Sequence, residues 1–259
     1  MASTTQAPTA STRTKRTRAL TIALVVIVAL VAVLIGGELY LRNNVKQCLA
    51  SQFESQLGSQ VDLGLSPKPV LLQAIDKKVP YVTIASDDSS FGPAKDMHVE
   101  ARVNDLDLTT SATSGGTVGS STADIDWSTE GIAATIQGES FGSLVSAVTS
   151  DAAAGTLQFQ VLGNLAQLTV RPTVSGGVVQ VETVGAEILG LGLPTDLVSG
   201  IVDMLTSSLQ SFPLGMTAQS LTVTDSGLQL SLAGGAYTMP APQPGAQTQA
   251  VPDSCSILM

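Results

Sequence analysis

The pentapeptide Gly138-Glu139-Ser140-Phe141-Gly142 matches G-x-S-x-G, the pattern of a nucleophile elbow, in which a tight turn between a strand and a helix exposes a serine. The neighbouring sequence fits this context, because an alternating segment precedes the motif and a segment with helical character follows it. A serine nucleophile needs a base, and the chain contains one histidine, His98. The competing interpretation is that Ser140 caps the helix that follows.

A catalytic triad would combine Ser140 with His98 and with Asp105 or Asp107, in the chain order His-Asp-Ser. In α/β-hydrolases the histidine follows the serine, and the alternating βα pattern of their parallel sheet is missing from this sequence. His98 also falls on the polar face of its predicted strand beside Glu100, which is typical of a solvated histidine. Ser140, His98 and Asp105 are therefore candidate catalytic residues, with ordinary surface roles as the alternative.

Two Asp-x-Asp pairs, Asp105/Asp107 and Asp124/Asp126, each place two carboxylates on one face of a predicted strand. Such pairs could bind a cation such as Ca²⁺. No ordered run of further oxygen ligands accompanies them, which favours solubilising strand faces. The sequence also lacks the Cys/His spacing of zinc sites, a P-loop and a dinucleotide fingerprint. We predict no metal site and no cofactor.

A long uncharged segment, Ala19 to Gly37, indicates how the chain is placed in the cell. As a helix it would span about 28 Å, close to the hydrocarbon thickness of a bilayer. Four basic residues and no acidic one lie between Arg13 and Arg18, which keeps the N-terminus in the cytoplasm. We predict a single-pass cell-membrane protein with a disordered cytoplasmic tail over residues 1–18, a signal-anchor helix over 19–38 and an extracytoplasmic remainder.

A cleaved signal peptide is the alternative to this anchor. The apolar run is longer than the usual signal-peptide core, and no small-x-small cleavage site follows it. Cleavage after Gly37 would place the bulky Ile35 three positions before the cut. These observations favour a retained anchor.

The residues beyond the predicted membrane helix are strongly acidic, with 8 Lys+Arg against 21 Asp+Glu, a net charge of −13. Such a domain repels nucleic acid and anionic headgroups at long range, so we predict no nucleic-acid partner. A phospholipid partner would have to be bound by burial of its apolar part. The sequence identifies no protein partner.

The two cysteines, Cys48 and Cys255, lie near opposite ends of the exported part. Outside the cytoplasm a disulfide is permitted, so the even count is compatible with a single bridge. Two free thiols are the alternative.

Alternating apolar and polar residues predict many strands, and the order of elements is typical of an α+β fold. A helix is expected over residues 39–58, a strand over Ile132 to Ile136 and a short helix over Ser140 to Thr149. Residues 111–122 are expected to form a loop, and the strand that contains Tyr81–Ile84 is expected to end at the polar run 87–90. Hairpins are expected at Ser175-Gly176-Gly177 and at Thr224-Asp225-Ser226-Gly227. A second helix opens at Pro194-Thr195-Asp196 with Thr or Asp as its cap. We predict an antiparallel sheet with helices on one face, in a domain over 39–238 followed by a flexible tail over 239–259.

Three short segments form a recognisable set: the Pro-x-Leu-x-Gln element in Pro67–Ala74, the stretch Gly190–Pro194, and Phe212–Met216 leading into Leu221–Leu228. These segments resemble the LmeA-like family of actinobacterial envelope proteins. The resemblance covers about Val45 to Ala236. It implies an exported protein that acts on envelope lipids, with a curved sheet covered by two or three helices, similar to tubular lipid-binding domains. Phospholipase A activity is attributed within the family, but no catalytic residue is carried over from it.

The function expected from residues and resemblance together is binding of envelope lipid in an apolar groove, in support of cell-envelope lipid or lipoglycan maintenance. The alternatives are a phospholipase A-type lipid hydrolase and a structural envelope protein without a ligand. The predicted groove residues come from strands with one apolar face and from the helix after Pro194: Leu157, Phe159, Val161, Leu197, Ile201, Leu205, Leu209, Phe212, Leu228 and Leu230.

Overall fold

The computed structural model describes residues 13–57, 61–91, 94–163, 165–188, 194–210 and 212–241 of the chain. The described helices are α1 (Arg13–Leu57), α2 (Val70–Asp76), α3 (Thr129–Gln137) and α4 (Thr195–Ser208). The first six described strands are β1 (Val61–Leu65), β2 (Lys78–Phe91), β3 (Ala94–Asp107), β4 (Ser114–Val118), β5 (Ser120–Ser128) and β6 (Val145–Asp151). The others are β7 (Thr156–Val161), β8 (Ala166–Ser175), β9 (Val178–Ile188), β10 (Thr217–Thr224), β11 (Gly227–Gly234) and β12 (Tyr237–Pro240).

These strands form two open antiparallel sheets, and the predicted α+β class is confirmed. The large sheet has the order β1-β2-β3-β5-β11-β10, and the β4–β12 pair joins it through β3. The small sheet has the order β6-β7-β8-β9. Neither sheet closes into a barrel, so each keeps two edges and one apolar face that another layer must cover.

One hydrophobic core lies between the two sheets. It contains the largest buried side chains, Trp127 of β5 and Phe159 of β7, together with Ile132 and Ile136 of α3 and Ile201 of α4. Helix α3 packs on β3 of the large sheet and on β6 of the small one, and β10 packs on β8. The helices therefore join the sheets into one unit.

Helix α1 is continuous from the N-terminal region into the domain. It begins at Arg13, so residues 13–18, which the sequence analysis placed in a disordered tail, are helical; residues 1–12 lie outside the described part. Arg and Lys have high helix propensity and extend the helix N-terminally. It ends at Leu57, as the glycine at position 58 predicts. Its segment Leu24–Cys48 is long and apolar enough to span a membrane, a property that signal sequences share.

The C-terminal half of α1 is attached to the domain by polar contacts. Arg42 donates from Nη2 to the backbone oxygens of Leu65, at 2.6 Å, and Ser66. Glu38 Oε1 accepts a 2.6 Å hydrogen bond from the backbone N–H of Val70, the first residue of α2. Cys48 is 5% exposed. Cys255 lies outside the described residues, so the Cys48–Cys255 bridge stays a prediction.

The segment 132–136, expected to be a strand, is instead part of helix α3. Its apolar residues alternate, but Ile132 and Ile136 are also four residues apart and therefore share one helix face, where both are buried. Ser128 decides the outcome, because its side chain accepts a hydrogen bond from the N–H of Gly131 and caps the helix.

The segment 140–149, expected to be a helix, contains a short 3-10 turn over Gly142–Leu144 followed by β6. The structure also differs from two further expectations, because segments expected to lie outside strands are paired in the large sheet. Residues 111–122 contain β4 and the start of β5 instead of a loop, and β2 continues to Phe91 through the polar run at 87–90. In each case pairing with a neighbouring strand satisfies the backbone hydrogen bonds of a segment whose side chains are small or polar.

Two predicted hairpins are confirmed. The β8–β9 hairpin turns at Gly176 and Gly177, whose φ angles are 62° and 81°. Positive φ at both central residues matches the right-handed twist of the strands, and glycine adopts it without strain. The β10–β11 hairpin forms one edge of the large sheet, with β11 between β10 and β5.

The predicted helix after position 194 is confirmed as α4, but its cap differs from the expectation. Pro194 occupies the N-cap position, and no side chain caps the helix; Thr195 and Asp196 lie within its first turn. Proline cannot accept a capping bond with its side chain, so α4 lacks the contact that Ser128 supplies to α3.

This contrast predicts different costs for two matched substitutions. We expect Ser128→Ala to lower the free energy of unfolding by about 1 kcal/mol, since one N–H of α3 loses its partner. We expect Thr195→Ala to change it by less than about 0.5 kcal/mol. Urea unfolding of the full chain in a mild detergent, followed by the fluorescence of the single tryptophan, measures both. Equal losses would contradict the assigned caps.

Candidate functional site

The small sheet supplies one wall of the apolar interior. In β7, the side chains of Leu157, Phe159 and Val161 are fully buried, whereas Gln158 and Gln160 between them are only half-buried. The pattern continues in β8. Since successive side chains of a strand point to opposite faces, this alternation gives the sheet one face made of hydrocarbon.

Helix α4 covers this wall. Leu197, Ile201 and Leu205 recur every four residues, so they share the helix face that is buried. The C-terminal end of α4 is attached to β9, because Gln210 donates from Nε2 to the carbonyl oxygen of Val179 at 2.8 Å. In the middle, Gly200 lies against the Phe141 ring, where an added Cβ would come within 2.9 Å of Cε1.

The large sheet supplies the opposite wall through β11. Leu228 and Leu230 are buried on the face that joins the core, and they align with Trp127 and Ile125 of β5. The structure thus brings all ten predicted groove residues into one cluster or against it. Nine of them are at most 6% exposed, and Phe212 is half-buried at the end of α4.

The interior is suited to hydrocarbon and to little else. The cluster consists of aliphatic, aromatic and methionine side chains, and the buried polar residues in α3 and β7 are Thr135 and Thr156. Burying apolar surface away from water is favourable roughly in proportion to its area, without regard to direction. Such a site could hold an acyl chain. That it acts as a ligand groove remains a prediction.

Ser140 lies in an exposed turn between α3 and the 3-10 turn. The order of elements here is helix, turn, strand, the reverse of a nucleophile elbow. Packing accounts for two other residues of the motif. A Cβ on Gly142 would lie 2.2 Å from the carbonyl oxygen of Ile136, and Phe141 packs against α4.

His98 and Asp105 both belong to β3 and are seven residues apart. At a strand rise of about 3.3 Å per residue, they are separated by roughly 23 Å. His98 Nδ1 instead contacts Asp87 of β2, and its Nε2 lies 3.7 Å from Glu100. The structure therefore does not assemble Ser140, His98 and Asp105 into a triad.

A polar cavity of about 190 Å³ lies beside His98. Trp127 contributes to its wall and donates from Nε1 to the carbonyl oxygen of Lys95 at 2.9 Å. The rest of the lining is largely acidic or hydroxylated: Asp87, Asp96, Asp126, Ser128, Thr224 and Ser226, with Gly227 and Leu228. The sequence analysis missed the contact between Asp87 and His98, because it ended β2 at the run that contains Asp87.

The predicted carboxylate pairs have partners within the protein. Asp124 accepts a hydrogen bond from Ser231 at 2.7 Å, and Asp107 accepts one from the backbone N–H of Thr109 at 2.9 Å. The contact with Thr109 holds the pKa of Asp107 below its usual value. Within the part of the chain that the structure describes, no group of three or more His, Cys, Asp or Glu side chains is arranged to hold a metal ion.

The hydrogen bond to Asp87 raises the pKa of His98 above its ordinary value. Burial opposes this effect, and the negative charges of Asp87, Glu100 and Asp126 add smaller increases. A raised pKa in the folded state means that the protonated histidine stabilises the fold. This stabilisation is complete below the unfolded pKa of about 6.5 and is lost as the pH rises through the folded pKa.

We therefore expect His98→Asn to destabilise the protein at a pH of about 5.5 and to have little effect at about pH 9. Asp87→Asn should show the same dependence, because it removes the other member of the pair. Urea unfolding at the two pH values measures the difference from the wild type. A loss that does not vary with pH would contradict the pairing.

Comparison with known proteins places the chain among related sequences. The chain is 30% identical over 224 residues to uncharacterized proteins of Mycobacterium tuberculosis (strains H37Rv and CDC 1551) and Mycobacterium bovis. The match covers 83% of this chain and 64% of each relative. No solved structure matches it. The family model described as LmeA-like phospholipid-binding matches residues 32–233. The chain therefore belongs to the LmeA-like phospholipid-binding family.

Proposed function

We propose that this protein is a membrane-anchored extracytoplasmic protein that binds an acyl chain of a phospholipid between the small sheet and helix α4. In this way it supports the maintenance of envelope lipids or lipoglycans. The observation that carries the proposal is a largely apolar interior between the sheets, with the buried face of α4 packed into it, in a member of a phospholipid-binding family.

An acyl chain matches the chemistry of this interior. Each buried methylene contributes about 0.8 kcal/mol, so half of one chain gives useful affinity without any polar contact. The acidic domain, with a net charge of −13 after the anchor, offers little attraction to a phosphate headgroup. The headgroup would therefore stay in water while the hydrocarbon part supplies the binding energy.

Access to the interior requires that α4 move, because the side chains beneath it are packed and buried. The two ends of the helix differ in a way that suits this movement. No side chain caps the N-terminus, so that end could swing outward, while the hydrogen bond from Gln210 to Val179 holds the C-terminal end on β9 as a pivot. Displacing α4 would uncover Ile201 and Leu205. An acyl chain that replaces their contacts with the sheet would restore the lost dispersion interactions.

The predicted location follows from α1. Its apolar segment and the basic residues before it support a single-pass helix with the N-terminus inside, at the cell membrane. A mature protein that starts near Glu38 would instead identify a cleaved signal peptide, and the domain would then reach its lipid without an anchor.

Photocrosslinking with a phospholipid that carries a diazirine on one acyl chain tests the lipid site. The full chain is reconstituted in vesicles that contain this lipid and irradiated, and the labelled peptides are identified by mass spectrometry. We expect labels on residues 157–161 and 197–209 in addition to α1. Labels confined to α1 would contradict binding in the interior.

The variant Leu205→Trp provides a matched comparison, because the larger side chain would occupy the volume that an acyl chain takes when α4 moves. We expect it to reduce the interior labels several-fold and to leave the labels on α1 unchanged, so that α1 serves as an internal control. Overpacking a core position costs about 1–3 kcal/mol, and circular dichroism checks that the variant is folded. Unchanged interior labels in a folded variant would contradict the assigned site.

The same vesicles also test the hydrolase alternative. We expect neither lysophospholipid nor free fatty acid to accumulate, since the structure does not assemble Ser140, His98 and Asp105 into a triad. Products that form with the wild type and not with Ser140→Ala would replace lipid binding with lipid hydrolysis as the function.

A further inference from the structure

Helix α2 turns its polar side toward the domain and its apolar side toward the outside. It buries its polar residue, Gln73, and exposes Leu71, Leu72 and Ile75 by 43%, 51% and 80%. A helix on the surface of a soluble domain normally presents its apolar residues to the core. The exposed apolar side chains of α2 therefore call for an apolar environment outside the domain.

The geometry of α2 places these three side chains on one face. At about 100° per residue, Leu71, Leu72 and Ile75 fall within a sector of roughly 100°, and Gln73 points to the opposite side. Gln73 Nε2 donates to Ser66 Oγ at 3.3 Å and to the carbonyl oxygen of Lys68 at 2.6 Å. These contacts fix the rotation of the helix, so its apolar face points outward.

The position of α2 along α1 indicates which environment this is. Glu38, the first charged residue after the apolar stretch, accepts the hydrogen bond from the N–H of Val70. Helix α2 therefore lies where α1 would leave the hydrocarbon of a bilayer. Leu39 and Tyr40 are exposed at the same level of α1, and tyrosine is enriched at membrane interfaces.

The distribution of charge points the same end of the domain toward a membrane. Residues 38–78 contain 5 Lys+Arg and 4 Asp+Glu, whereas residues 79–259 contain 3 and 17. Lys68 pairs with Asp76 at 2.5 Å, which joins the loop before α2 to its last residue. Anionic lipid would therefore repel residues 38–78, which carry α2, less strongly than residues 79–259.

We propose that α2 is a second membrane contact, which lies in the bilayer interface beside α1 and inserts Leu71, Leu72 and Ile75 among the lipids. The proposal rests on α1 as the anchor, which is part of the proposed function, and not on lipid binding in the interior. Interfacial helices bury their apolar face at the boundary between headgroups and acyl chains, which matches the exposed face of α2. Two contacts fix the orientation of the domain, which one helix alone would leave free to rotate.

Depth-dependent quenching tests this contact. Single tryptophans are introduced into the full chain in vesicles of phosphatidylcholine and phosphatidylglycerol with brominated acyl chains. The native Trp127, 1% exposed, gives a constant background. We expect bromolipid to reduce the added emission of Leu72→Trp and Ile75→Trp roughly twofold or more relative to unbrominated vesicles.

Two matched controls make every outcome informative. Leu30→Trp, in the exposed apolar part of α1, should be quenched strongly and shows that the anchor is inserted. Leu165→Trp replaces a residue that is 58% exposed between β7 and β8 of the small sheet, and its emission should be unaffected.

Quenching at position 30 without quenching at position 72 would overturn the docking of α2 and leave the anchor intact. A blue shift at position 72 without bromine quenching would also overturn it, because the apolar face would then be covered by protein, either another segment of the chain or a second copy. Equal quenching at 72 and 165 would show contact without orientation and contradict the proposal. None of these outcomes depends on crosslinks in the interior, so the two tests fail independently.

Discussion

The packing of the apolar faces of the two sheets against each other is the interaction on which the rest of this structure depends. Each sheet is open, antiparallel and apolar on one side, and neither can bury that side alone. Helix α3 packs on both sheets, and β10 reaches across to β8. The contact between the sheets therefore creates the only large volume of hydrocarbon in the described domain, and both the stability of the fold and the proposed ligand site draw on it.

This dual use constrains how a ligand can be accommodated. Fully buried side chains such as Phe159 and Leu168 contribute to stability through close packing, which an acyl chain must displace or extend. Helix α4 is the element best placed to move, because it covers the interior from one side and takes no part in the backbone ladder of either sheet. In the proposed function the roles are separate: the sheets maintain the fold and α4 regulates access.

The sequence predicted the elements whose side chains alternate without interruption. Strands β7, β8 and β11 were identifiable because every second residue is apolar, and the groove residues of β7 and β11 were selected by the same property. Helix α3 was missed because Ile132, Ala134 and Ile136 satisfy the periods of both strand and helix, and the decisive contact is a capping bond from Ser128. The G-x-S-x-G motif misled for a related reason, since Gly142 is needed for its close approach to Ile136.

Contacts between residues that are distant in the sequence could not be predicted from local sequence patterns. His98 meets Asp87 because β2 and β3 pair, and nothing near His98 in the sequence identifies that partner. The sequence also could not establish how tightly the interior is filled. Alternation shows which side chains point inward, whereas the space left between them depends on how two sheets and a helix meet.

The unbroken course of α1 has a mechanical consequence. From Glu38 to Leu57 the helix rises by about 29 Å, without a proline, and its near part is fastened to β1 and α2. With the apolar half of α1 in a bilayer, the helix would hold the domain at a fixed distance from the membrane surface and leave it little freedom to tilt. Such a protein would not shuttle through the envelope as a soluble carrier does. It would diffuse in two dimensions, and its molecular partners would have to come within a few nanometres of the membrane to exchange lipid with it.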